Sequence, residues 1–130
     1  MQSLKIKQVL NLFKNNTKNL SFLDIRERKQ YVHGFAFGSV NCPFSKFEYL
    51  IKELVPDLNT TLILIGVKNI YKKTQIQKIL KKFKYHRSFI IKGDYKIWKK
   101  YKFPLWAGEY TFSKAFGEWI EITSNIKNLY

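Results

Sequence analysis

The sequence predicts an α/β protein of three layers, α/β/α, in which helices cover both faces of a mixed central sheet and a β-hairpin closes the chain. Three observations carry this expectation. Thr61–Val67 is an unbroken apolar, β-branched run of strand length, the pattern of a strand buried on both faces. Apolar residues recur at helical spacing on either side of it: Ile6, Val9, Leu10 and Phe13 before, then Phe44, Phe47, Leu50, Ile51 and Leu54, and afterwards Ile76, Ile79, Leu80 and Phe83. Strand and helix patterns alternate, which is the rhythm of strand–helix–strand units.

In chain order, residues 3–14 read as a helix with Ser3 as N-cap and Asn15-Asn16 as its end. Residues 1–18 are thus an N-terminal helical extension of one domain spanning 1–130, as the length suggests. Ser21–Ile25 is a short strand, followed by a charged turn at Arg26–Lys29. Tyr31–Val40, poor in charge and rich in aromatic and small residues, reads as a buried strand. Pro43 stands at a first helical position, where its missing N–H costs nothing, and Pro56-Asp57 ends that helix. After Thr61–Val67, Thr74 and Gln77 form a capping box that opens a helix with Lys78, Lys81, Lys82 and Lys84 on its outer face. Ser88–Lys92 is a strand closed by Gly93-Asp94. Tyr95–Lys102 is a short helix stopped by Phe103-Pro104, with a loop from Leu105 to Glu109. Glu109–Ser113 and Glu118–Thr123 pair as a hairpin around Ala115-Phe116-Gly117.

Composition excludes several functions. A hydrophobic content of 45% with 25% charged residues is that of a globular chain. The net charge of +15 invites a nucleic-acid or anionic-membrane reading. The cations, however, are 21 Lys against 3 Arg, and phosphate clamping favours the planar fork of Arg. One cysteine excludes an internal disulfide and a cysteine-rich zinc site. His33 and His86 are isolated and make no metal site, and no cofactor is called for. No run approaches a membrane span, and Leu4–Phe13 is too often interrupted by polar residues for a signal peptide, so export would require a leader before Met1.

The residue singled out is Cys42. Placed after a strand and at the mouth of a helix, it faces backbone N–H groups and the positive end of the helix dipole, which should lower its pKa below that of a free cysteine. The plainer alternative is a buried, inert thiol. The arrangement resembles the thioredoxin-like superfamily, and within it the TlpA-type thiol–disulfide oxidoreductases, where a strand ending Phe-Trp-Ala-x-Trp leads to Cys-Pro-x-Cys and then Arg-x-Glu. Phe37 falls on that Phe, Ser39 on the small residue, Cys42-Pro43 on the first half of the motif, Lys46 on the Arg and Glu48 on the Glu. Asn19–Asp24 with the charged turn after it matches the cadence preceding the family's first core strand. Gly38 and Asn41 replace the tryptophans, and Ser45 stands where the second cysteine should be.

The resemblance implies a monothiol redox or thiol-dependent binding module, not a dithiol reductase. Cys42 would be its nucleophile and Ser45 the hydrogen-bond partner, as in single-thiol glutaredoxins, whose Cys-Gly-Phe-Ser is similar to Cys42-Pro43-Phe44-Ser45. The partner would be a thiol-containing protein or a small thiol, and the setting extracytoplasmic if a leader was removed, otherwise cytoplasmic. Pro104 either serves as the superfamily's cis-proline or simply stops a helix. Two alternatives stand beside this. Ser39-Val-Asn-Cys42-Pro43 also looks like the Thr-x-x-Cys-Pro of a one-cysteine peroxiredoxin, although Phe35 replaces that motif's proline and Arg87 comes early. The aromatic–lysine stretches at Tyr71–Lys73, Lys81–Arg87 and Trp98–Lys102 suggest a basic protein that binds nucleic acid or an acidic partner on an inactive scaffold of the same fold.

Overall fold

The run at Thr61 becomes the middle of a sheet because it has no polar face to offer water. The computed structural model describes residues 1–15, 19–36, 38–91 and 105–106. Its elements are β1 (Gln2–Leu4), α1 (Ile6–Asn15), β2 (Leu20–Asp24), α2 (Arg28–Tyr31), β3 (Phe35–Ala36), β4 (Ser39–Asn41), α3 (Phe47–Leu54), β5 (Thr61–Ile65), α4 (Ile70–Lys82), β6 (Ser88–Ile91) and β7 (Leu105–Trp106). Five strands form one sheet in the order β1-β6-β5-β2-β4. Every residue of β5 is buried.

Side chains of β5 alternate between two cores, as a strand's period of two requires. Ile63 and Ile65 join Phe22, Ile91 and the α1 residues Ile6, Val9 and Leu10. Leu62 and Leu64 join Leu23, Phe47 and Ile51 of α3, and Ile76 and Leu80 of α4. Each such fully buried aliphatic side chain contributes roughly 1.5–3 kcal/mol. The chain crosses the sheet one way through α1 and back through α3 and α4. With right-handed crossovers, this places α1 on one face and α3 and α4 on the other.

The three-layer α/β architecture is therefore as expected, but among the described residues the sheet is not mixed. All four pairings in the five-stranded sheet are parallel. Antiparallel pairing among the described residues is confined to a separate ribbon, where Phe35 faces Trp106 and Ala36 faces Leu105. Leu105 and Trp106 are thus strand, where the sequence suggested a loop. The long strand expected over Tyr31–Val40 is also broken. The one turn of α2 takes its first residue, and Gly38, at φ 88°, turns the chain between β3 and β4. The hairpin expected over 109–123, the helix over 95–102 and Pro104 lie outside the described residues.

Two helix starts differ from expectation. α1 begins at Ile6, because Gln2–Leu4 pairs with Phe89–Ile91 as a sheet edge and Leu4 is buried there. α4 begins at Ile70, four residues ahead of Thr74. The Asn69 side chain accepts the Lys72 backbone N–H at 2.8 Å and so caps the helix before Thr74 can.

Gly66, directly after β5, has φ 87°, a conformation that favours glycine. A Cβ added there would lie 2.8 Å from Cγ of Arg26, a side chain anchored at its far end and unable to swing away. Gly66→Ala should therefore cost about 1–3 kcal/mol, read as a lower urea midpoint. A midpoint equal to that of the wild type would refute this account of the β5 terminus.

Candidate functional site

Ligands of open parallel sheets gather beyond the carboxyl ends of the strands. In this chain, that end of the sheet is organised by Asp24, the last residue of β2. Its carboxylate is wholly buried and meets Arg26, two residues on, through paired contacts: Nη2 to Oδ2 at 2.9 Å, and Nε to both oxygens at 3.1 Å. The Arg26 backbone N–H also donates to Oδ1 at 3.0 Å, and Nη2 donates to the Gly34 carbonyl at 2.6 Å. Asn41, which lies opposite Asp24 in the β2–β4 register, donates its amide to the carbonyls of Asp24 and Arg26 at 3.0 and 2.9 Å. Together these bonds pin residues 24–26 to 34–41 across the sheet's outer edge.

Cys42 follows β4, the edge strand beyond β2, and not a strand at the sheet's middle. Its N–H donates to the Asp24 carbonyl at 2.9 Å, and its side chain turns inward among Leu23, Phe47, Ile51 and Leu80. Its relative exposure is 0%. Between it and α3 lies a 3-10 turn over Phe44–Lys46, so the α-helical N-terminus begins at Phe47, not at the cysteine. The expectation of a lowered pKa is overturned. Burial disfavours the thiolate and pushes the Cys42 thiol up from 9.0 to about 12.

The other residues singled out in the sequence have different occupations. Ser45 donates its hydroxyl to Glu27 Oε1 at 2.6 Å, a bond directed outward, away from the sulfur. Glu48 is exposed and accepts from Lys82 at 2.7 Å. Phe44 packs edge-on against Tyr71, with ring centroids 6.2 Å apart, and carries the Lys72 ammonium 5.4 Å above its ring. Pro43 precedes the 3-10 turn with an extended backbone, ψ 140°, and is not a first helical residue. Among the described residues, no group of three or more His, Cys, Asp or Glu could hold a metal ion. No described helix is long and apolar enough to cross a membrane.

Three residues that shape this end of the sheet went unread in the sequence: Arg26, taken as part of a charged turn, Asn41, met only where the resembling motif has a tryptophan, and Gly66, taken as part of a strand. Each had a signal. Asp24-x-Arg26 places opposite charges two residues apart at a strand's end, where both can share one side. A lone glycine closing an apolar run marks a backbone that needs a positive φ or a close neighbour.

An all-parallel, five-stranded sheet with helices on both faces and a carboxyl-end network makes the chain an open α/β domain, a class shared by many functions. A family model for the rhodanese-like domain matches residues 6–101, about three-quarters of the chain, and the chain belongs to that family. No curated protein sequence matches it. Solved structures similar to it include three that cover most of the described fold. The rhodanese-like domain of an Anabaena sp. protein is 15% identical, with TM-score 0.65, over 82% of this chain and 80% of that one. The thiosulfate sulfurtransferase of Pseudomonas aeruginosa is 20% identical, with TM-score 0.70, over 96% of this chain but 23% of that one. A rhodanese with anions from E. coli is 24% identical, with TM-score 0.53, over 68% of this chain and 99% of that one. At such identities they speak for the fold alone.

These matches overturn the thioredoxin-like assignment, and with it the monothiol oxidoreductase, the inactive thioredoxin-like scaffold and the peroxiredoxin alternative. The resemblance rested on a strand leading into Cys-Pro. That dipeptide does follow a strand, but an edge strand of a parallel sheet, and its sulfur is used for packing.

Two outcomes test this geometry. Arg26→Ala strands the buried Asp24 carboxylate and should cost about 3–5 kcal/mol in equilibrium unfolding; a loss under about 1 kcal/mol would show that the pair is not the clamp described. The raised Cys42 value sets the second. Because the folded thiol's pKa lies above the unfolded one, its contribution is complete below pH 9.0 and is lost as the pH climbs toward about 12. Over that window it should fall by about 1.4 kcal/mol per pH unit. Cys42→Ala should flatten the alkaline limb of a stability–pH profile relative to the wild type, and parallel profiles would count against the assigned burial.

Proposed function

We propose that this chain is a rhodanese-like module that does not relay sulfur through its cysteine and acts as a binding domain. The observation that carries the reading is the state of Cys42: no exposed surface, and a thiol that stays protonated at neutral pH. To take sulfur from thiosulfate, a thiolate must attack the outer sulfur, forming a new S–S bond while the old one breaks and sulfite leaves with its electron pair. That step needs an ionised sulfur within reach of the donor. Cys42 offers neither, and the same burial argues against a mixed disulfide with a protein or small thiol. The P. aeruginosa relative is named as a thiosulfate sulfurtransferase, and the E. coli one is described with anions. Of these two properties, affinity for anions fits a chain of net charge +15 and requires no thiol.

The test is sulfur transfer from thiosulfate to cyanide, followed as thiocyanate. The purified protein should release no more thiocyanate than its Cys42→Ala variant, and its thiol should react with a disulfide reagent only after denaturation. Thiocyanate production that vanishes in Cys42→Ala would make the chain a sulfurtransferase and end this proposal.

A further inference from the structure

From Leu58 to Gly93 the sequence has no acidic residue, while α4 alone carries Lys72, Lys73, Lys78, Lys81 and Lys82. Lys72 and Lys73 lie in the first turn of α4, where the positive end of the helix dipole opposes them. No carboxylate of that helix turn relieves this repulsion. Beside the same turn, a groove of about 260 Å³ runs between the 3-10 turn with the start of α3 on one side and α4 from Tyr71 to Ile79 on the other. Two tyrosines on its walls stand in solvent, Tyr49 at 80% exposure and Tyr71 at 66%. Phe44 lies against Tyr71, with the Lys72 ammonium above its ring, and Lys46 stands on the rim. Glu48, the one carboxylate lining the groove among the described residues, is taken up by Lys82 at 2.7 Å.

Two rings this exposed on the walls of one groove, with Lys46 and Lys72 beside them, are the composition of an interface anchor point and not of a solvated surface. We propose that the groove docks an acidic segment of a partner protein, which lays one aromatic or large apolar side chain between Tyr49 and Tyr71 and places flanking carboxylates against Lys46 and Lys72. Charge complementarity selects an anionic occupant: among the described residues Lys46 and Lys72 meet at the groove, its one lining carboxylate, Glu48, is held by Lys82, and Glu27 behind Ser45 is the one further carboxylate bonded to its wall. The groove's size selects a peptide side chain. It is smaller than the about 300–1,000 Å³ of a site for a drug-sized molecule, and it is a notch between two helices, whereas single-stranded nucleic acid needs a track of successive stacking platforms. This inference goes beyond the reading of Cys42 and stands whether or not that residue moves sulfur.

Fluorescence anisotropy with labelled peptides tests it on the full chain. The probes are a short peptide of glutamates flanking one tryptophan, the same peptide with alanine for tryptophan, and a single-stranded oligothymidylate. The glutamate–tryptophan peptide should bind, weaken as salt is raised, and exceed the alanine version by about tenfold or more. Tyr71→Ala and Tyr49→Ala, both at exposed positions where folding is not at stake, should each weaken it by about fivefold or more. Lys72→Glu should do likewise, whereas Lys81→Glu, the same charge change on the outer face of α4, should weaken it by less than about twofold. Several results would overturn the proposal: no binding of the glutamate–tryptophan peptide, equal binding of the tryptophan and alanine peptides, indifference to Tyr71→Ala, equal losses from Lys72→Glu and Lys81→Glu, or an oligothymidylate that binds more tightly and displaces the peptide.

Discussion

The ion pair between Asp24 and Arg26 is the constraint on which the carboxyl end of the sheet depends. A carboxylate sealed from water is tolerable only when its lone pairs are taken, and here one guanidinium and one backbone N–H take them. Holding Arg26 in that pose has consequences on both sides. Its Nη2 reaches the Gly34 carbonyl and fixes the return of the chain toward β3. Its aliphatic stem lies across the end of β5, which is why the residue there has no side chain. Asn41 then bonds both carbonyls that flank the pair, and Cys42 is drawn inward by its own N–H bond to Asp24.

Much of the fold was legible in the sequence for simple reasons. β5 was clear because both faces of a central parallel strand are apolar. The inner faces of α1, α3 and α4 were clear because Val9, Leu10, Phe47, Ile51, Ile76 and Leu80 keep helical spacing. What misled was the segment from Asp24 to Cys42. Its polar residues bond to one another across some fifteen positions of chain, a relation no local pattern encodes, so the short strands β3 and β4 were read as one. The helix boundary at Asn69 was missed for a related reason: Thr74 has the residue types of a cap, but the first competent side chain on the approach decides. The site was less legible than the fold, since cysteine before proline after a strand describes both an activated thiol and a packing residue. Only burial separates them.

The two halves of the basic, aromatic surface also part company once the fold is known. Tyr85 is buried and gives its hydroxyl to the Val55 carbonyl, at the foot of α3. Tyr71, in an equally lysine-rich stretch, stands outside on the groove that Tyr49 also lines. Composition treats the two rings alike. Their positions relative to the start and end of α4 give one to the core and leave the other to face whatever approaches the groove.

The pairing of β1 with β6 joins residues 2–4 to 89–91, close to the two ends of the described sheet. Loop closure over so many residues comes late, because its entropic cost must be met before the contacts return anything. On the ribosome, where synthesis runs at about 5–20 residues per second, the first strand made must therefore wait several seconds for its neighbour to emerge. Until then the flank of β5 that β6 will cover is open and β1 has no strand to pair with, whereas α1 already has Phe22, Ile63 and Ile65 to pack on. Nascent chains of this protein are thus most exposed to chaperones and to mispairing just before their ninetieth residue clears the exit tunnel.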